Sequence, residues 1–189
     1  MIIPRVPDPS STSDIAPVAP DRIRSKSLRN LLSYWDSKVN QLQRLPSRAD
    51  LQPDEMVPFL PFVALINVQT GQPRFQFRLV GTGIVGAMGR ETTNRNVDEA
   101  LFGANAPNVE TFFSMPLDNR GPAYATGQYT VAPSGRTLAF ETLLLPLSSD
   151  GTAIDMLLGG LVGERVQRDE QICGFQYDFF SPLVQMAAP

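Results

Sequence analysis

The stretch FVALINVQTGQPRFQFRLVGTGIVGAMGRETTNR, residues 62–95, constrains this chain more than any other. Residues 62–68 are rich in β-formers. QTGQP reads as a turn. RFQFRLVG then alternates, with Phe75, Phe77 and Leu79 on one face and Arg74, Gln76 and Arg78 on the other. Two such runs around a short glycine-containing connection spell an antiparallel hairpin. The hairpin runs straight into Gly81, Gly83 and Gly86, a full G-x-G-x-x-G. A dinucleotide-binding turn needs those glycines inside a parallel β-α-β unit, with an acidic residue closing the second strand. Here the preceding strand is committed to a hairpin. Gly86, Gly89 and RETTNRN break up any crossover helix, and no apolar second strand follows. Asp98 and Glu99 fall near the expected separation but within a helical or loop stretch. The glycines are read instead as letting the chain leave the strand sharply and pack a short helix closely. A nucleotide-binding oxidoreductase would give a thermal shift with NAD or FAD, and none is expected.

Upstream, residues 1–22 are rich in proline and small polar residues and read as a flexible tail. Leu28, Leu31, Leu32, Trp35, Val39 and Leu42 then recur at helical spacing. They predict an amphipathic helix over roughly residues 21–44, with Asp21 as N-cap and Pro46 as stop. Its other face carries Arg29, Asn30, Asp36, Lys38 and Gln41. The stripe needs a cover: the domain body, a second copy, or both. A short helix is expected from Pro53 to Leu60, with Asp54 and Glu55 complementing its start.

After the glycines, IVGAMG, NVDEALFG and NAPNVETFFSMPLDNR read as three short helices. Asn94 or Asn96 stands near the start of the second, and Asn105 or Asn108 caps the third. AYATGQYTVA, RTLAFETLLLPLS and AIDMLLGGLVGERV follow as strands, separated by PSG and SDG turns. The element order is helix, β, β, three helices, β, β, β. The boundaries drawn are tail 1–22, N-terminal helix 23–45, domain 46–166 and C-terminal extension 167–189.

Composition removes whole classes of chemistry. The 189 residues contain no histidine, so a Ser-His-Asp triad, histidine haem ligation and histidine metal sites are impossible. The single cysteine, Cys173, forms no disulfide within the chain and reads as an inert thiol. Net charge is −3 and the pI about 5.0. A nucleic-acid surface is therefore not expected, and RFQFR reads as sheet before it reads as an RNA platform. No run approaches a membrane span and the N-terminus lacks a signal pattern, so a cytoplasmic, non-membrane protein is expected. Glu141 is the most unusual acid, sitting in an apolar strand. A structural partner such as Arg78, or exposure, is the expected reading over catalysis.

Three motifs carry a resemblance to stand-alone bacterial PAS domains: LPSRADLQPDEMVPFLPFVALINV, FQFRLVGTGIVGAMGRETTNRNVDE and ETLLLPLSSDGTAIDMLLGGLV. Together they span roughly residues 28–165. One departure is Thr142, where such sequences often carry arginine. The resemblance implies an α+β fold, a five-stranded antiparallel sheet with short helices over one face, plus an extra N-terminal amphipathic helix. It also implies a sensory or adaptor protein in signal transduction, and no enzyme. The cofactor is unknown. The missing histidine argues against haem, and Cys173 lies too late in the chain for flavin or coumaroyl adduct chemistry.

Under that resemblance a cavity would lie between the sheet and residues 83–119. Phe75, Phe77, Met88, Phe112, Phe113, Tyr129 and Met156 are candidates to line it, with Arg78, Tyr124 and Tyr129 as polar handles. No catalytic or metal residue is assigned. The alternative use of the same cavity is small-molecule storage or an enzymatic reaction. No output segment follows the last strand, so signalling is expected through a homodimer or effector contact. Leu28, Leu31, Leu32, Trp35, Val39 and Leu42 are the interface candidates.

Overall fold

The structure, a computed structural model, describes residues 22–131 and 136–165. For 129–131, 136–137 and 165 it describes the backbone alone. The strands are β1 (Val63–Val68), β2 (Phe75–Val80), β3 (Ala123–Val131), β4 (Arg136–Leu147) and β5 (Met156–Arg165). They form one sheet in the order β2-β1-β5-β4-β3, and every pairing among them is antiparallel. The helices are α1 (Lys26–Leu42), α2 (Thr82–Met88), α3 (Glu99–Phe102) and α4 (Ala106–Asn119). The expected PAS-like α+β architecture is the one observed. The PSG turn, Cys173 and the 167–189 extension lie outside the described residues.

Each face of the sheet carries its own core. α1 covers one face, burying Leu28, Leu31, Leu32, Trp35 and Val39 against Val63, Leu65, Leu143, Leu145 and Leu158. α2, α3 and α4 cover the other, where Ile84, Leu101, Val109, Phe112 and Phe113 meet Ala64, Ile66, Phe75, Phe77 and Leu144. With both faces dry, β4 and β5 have no polar side to show. That is why they read as near-continuous apolar runs, as strands buried on both faces do.

The stripe named as an interface is therefore occupied by the chain's own sheet. Leu28, Leu31 and Trp35 are about 1% exposed, and Leu42 at the end of the row is half-buried. What α1 leaves for a partner is its polar face. Two details hold it down. The Trp35 Nε1 donates to the Pro146 carbonyl at 2.9 Å. Proline is tolerated there because β3 ends opposite Leu144, so the missing N–H faces no neighbouring strand. On β5, a Cβ built on Gly160 would sit 2.6 Å from both Leu28 and Leu31 side chains, so glycine lets the helix seat closely.

α1 starts later than its periodicity suggested. Ser25 is the N-cap, its Oγ accepting from the Leu28 N–H. The reason lies across the sheet. Glu141 accepts from the backbone N–H groups of Arg24 and Ser25 at 2.9 and 3.1 Å, and from the Tyr124 hydroxyl at 2.8 Å. A carboxylate at a helix N-terminus satisfies orphan donors and meets the positive end of the dipole. Arg78 is not its partner: it sits on edge strand β2, three strands from β4. Burial and the hydrogen bond to Glu141 push the Tyr124 hydroxyl pKa well above its ordinary value.

Lys38, expected on the polar face, is buried. Its Nζ lies over the Tyr34 ring, 5.2 Å from the centroid, and reaches Glu55 at 2.7 Å. A long lysine can bury its stem and keep its charge paired. Pro53–Met56 and Leu60–Phe62 are short 3-10 turns, not one helix, since Pro58 and Pro61 withhold the N–H groups a longer helix needs. Asp98 caps α3, its Oδ1 accepting from the Leu101 N–H. Asn94 instead occupies a left-handed turn position, and Asn96 bridges to Gln76. Asn105 stands at the N-cap of α4 as expected.

The LPSRAD run builds a small polar clasp. Asp50 accepts from the Ser47 N–H at 2.8 Å, the Ser47 Oγ at 2.7 Å and Arg44 at 3.0 Å. The Ser47 backbone and hydroxyl bonds, with Arg44 adding to them, hold its pKa down at about 2. A carboxylate with a lowered folded pKa contributes stability above its unfolded pKa and loses it as pH falls. The protein should therefore lose about 1–2 kcal/mol through this group between pH 4 and pH 2. Asp50→Asn should be less stable at pH 7 and show a correspondingly flatter acid limb in denaturant titrations. Parallel acid limbs for the two proteins would refute the assignment.

A candidate ligand cavity

The glycines after β2 fix where α2 goes. A Cβ on Gly81 would fall 2.4 Å from the Pro61 carbonyl oxygen and 2.6 Å from that of Leu60. A Cβ on Gly83 would meet the Phe62 ring and the Pro61 oxygen at 2.9 Å. Both glycines thus admit the 60–62 turn against the start of α2, while Gly86 faces open space. α2 ends at Gly89, in the left-handed region at φ +69°, with its N–H donating to the Val85 carbonyl. The motif closes a corner of the fold, and its strand is antiparallel to β1.

A bulge sets the other wall. In the β1–β2 pairing Leu65 faces Leu79 but Ile66 faces Phe77, so Arg78 is the extra residue. Phe75 and Phe77 point into the helix-covered core. Leu79 is turned away and is 46% exposed, which the simple alternation did not foresee.

Between these walls lies a cavity of about 330 Å³. The sheet contributes Ile66, Phe77, Phe140, Thr142, Leu144 and Gly159. The helices contribute Ile84, Met88, Leu101, Phe102, Val109, Phe112 and Phe113. Its aromatic rim is edge-on: Phe77 and Phe113 have centroids 6.0 Å apart and Phe112 and Phe113 6.1 Å, both near perpendicular. Gly89 and Arg90, both exposed, mark the mouth, with half-buried Asn105 beside them.

Of the residues named from sequence, Phe77, Met88, Phe112 and Phe113 come together here. Phe75 lies in the same core, packed edge-on against Phe113, but behind the wall. Arg78 is exposed on the edge strand. Tyr124 and Met156 belong to the opposite core, under α1. The Tyr129 side chain lies outside the described residues. The sequence reading missed Ile84, Arg90, Leu101, Phe102, Asn105, Val109, Phe140 and Thr142. Ile84 with Met88, and Val109 with Phe112 and Phe113, carry helical spacing that marked them as one-faced. The polar members carried no such signal. Thr142, the position where arginine was expected, lines the cavity.

A five-stranded antiparallel sheet in the order 2-1-5-4-3, with short helices packed over one face around an apolar space, defines the class: an α+β domain of the PAS-like type. A family model described as PAS domain matches residues 23–162, and the chain belongs to that family, whose members are generally sensory and not enzymatic. The match takes in α1 as well as the sheet. No curated protein matches the sequence. Among solved structures the chain is similar to the Vibrio cholerae VqmA–ligand–DNA complex, at 12% identity and TM-score 0.46, covering 61% of this chain and 51% of that one. It is also similar to the PAS domain of Bordetella pertussis BvgS, at 14% identity and TM-score 0.37, covering 59% and 83%. A sensory box sensor histidine kinase from Vibrio cholerae matches at 15% identity and TM-score 0.40, covering 72% and 99%. The chain spans about half the length of the VqmA chain it matches. No described helix is long and apolar enough to cross a membrane.

Proposed function

We propose that this is a cytoplasmic PAS-type sensory domain that binds one small organic molecule between its sheet and the α2–α4 layer, and passes the bound state on through protein contacts. The observation that carries the reading is the cavity itself. A concave apolar pocket of this size, open at one end, leaves hydrocarbon surface facing water unless a ligand covers it. Its walls are mostly apolar, with the few polar side chains Arg90, Asn105 and Thr142 among them, which is the usual make-up of a small-molecule site. Among the described lining residues there is no carboxylate and no cysteine or serine, which favours binding over catalysis.

The protein purified rapidly from cells should show, in native mass spectrometry, an added mass that disappears on denaturation. Leu144→Phe, which projects a larger side chain into the space, should fold and lose that mass. A clean sequence mass, together with no melting shift from any member of a fragment collection of matching size, would overturn the reading.

A further inference from the structure

We infer that the cavity selects an apolar-bodied monocarboxylate, its carboxylate held at the mouth by Arg90; this rests on the ligand-binding reading above. The first observation is the charge of the wall. Among the described residues that line the space, Arg90 is the one charged side chain, and none of them is Asp or Glu. A cationic ligand would enter an apolar chamber with a like charge at its door and no counter-ion inside, which is unfavourable in a poorly hydrated site.

The second observation is what Arg90 does with its donors. Its Nη2 donates to the Leu101 carbonyl, which ties the guanidinium across the gap between α2 and α3. A guanidinium has five N–H donors. Among the described residues that bond is the only one Arg90 makes, and it enters neither ion pair found there. The side chain is thus positioned by one bond while most of its fork stays open, a geometry suited to a carboxylate. Asn105, which lines the same space, makes no capping bond with its side chain and offers a further amide donor.

The third observation is size. At about 30 Å³ per water, 330 Å³ equals roughly eleven waters, or an organic molecule of about a dozen non-hydrogen atoms. Most of the described lining, Ile66, Ile84, Val109 and Phe113 among it, is hydrocarbon, and Thr142 is its one hydroxyl. Such a wall takes a hydrocarbon body, and the polar end must face Arg90.

The test is calorimetry with a matched set: 3-phenylpropionate, octanoate, 3-phenylpropanol and 3-phenylpropylamine, against the full chain and the Arg90→Gln and Arg90→Lys variants. Either acid should bind about tenfold or more tightly than the alcohol, and the amine most weakly. Arg90→Gln should erase most of the acid–alcohol difference by weakening the acids far more than the alcohol; Arg90→Lys should restore part of it. The two acids separate an aryl from an alkyl body. Alcohol or amine binding as well as both acids, or acids indifferent to Arg90→Gln, would overturn the inference while leaving a neutral-ligand site standing. No binding by any of the four, joined to a clean native mass, would overturn the ligand reading itself.

Discussion

Trp35→Ala should be the most damaging single change in the molecule, lowering stability by about 3–5 kcal/mol. The indole is among the largest fully buried side chains and stands at the centre of the α1 core. Its removal leaves a void between α1 and the sheet and strips the Pro146 carbonyl of its donor. That carbonyl cannot turn to β3, which has already ended, so it remains buried and unpaired. For a chain of this size the loss corresponds to a fall in melting temperature of about 8–15 °C. Trp35→Phe keeps much of the volume and loses the hydrogen bond, so it should fall between. A melting temperature within a degree or two of wild type for Trp35→Ala would mean that α1 does not pack as described.

The second large effect separates the glycines of the G-x-G-x-x-G. Gly81→Ala should cost about 2–3 kcal/mol, because the added methyl meets two backbone oxygens that cannot swing aside. Gly86→Ala should be neutral or stabilise by about 0.5–1 kcal/mol, since its Cβ enters open space on a helix that gains from alanine. Chemical denaturation of the two variants is enough to decide it. A nucleotide-cradling turn would demand both glycines for ligand approach and would show no such split in the ligand-free protein. Equal losses at the two positions would undo the account of this corner.

Much of the fold was legible because its strongest signals are periodic. The Leu28–Val39 stripe, the β1–β2 hairpin and the three short helices were all read from spacing. The unbroken apolar runs of β4 and β5 held more than was taken from them. TLLLPL and MLLGGLV have no polar face, so both sides of the sheet had to be covered from within the chain. That alone assigns the α1 stripe to the sheet. What spacing cannot supply is parity in such strands. Nothing in ETLLL says that Glu141 and Leu143 face α1 while Thr142 and Leu144 face the cavity, so Tyr124 and Met156 could not be placed. The bulge at Arg78 was equally hidden, because it depends on how two strands align and not on either alone. Capping is local but degenerate: Asn94, Asn96 and Asp98 all qualify, and the side-chain bond to Leu101 chooses among them. The cavity's polar end was hidden for a third reason. Arg90 and Asn105 lie on separate segments that only the tertiary fold brings together.

The docking of α1 has a bearing on how this protein can be dissected. Cutting the chain at residue 45 to ask whether the first helix recruits a partner would bare Leu143, Leu145, Leu158 and the rest of that face to water. The shortened product would self-associate through newly uncovered hydrocarbon, whatever the intact molecule does. Binding surfaces on this helix are better probed by charge reversal at an exposed position such as Lys26, with the scaffold kept whole.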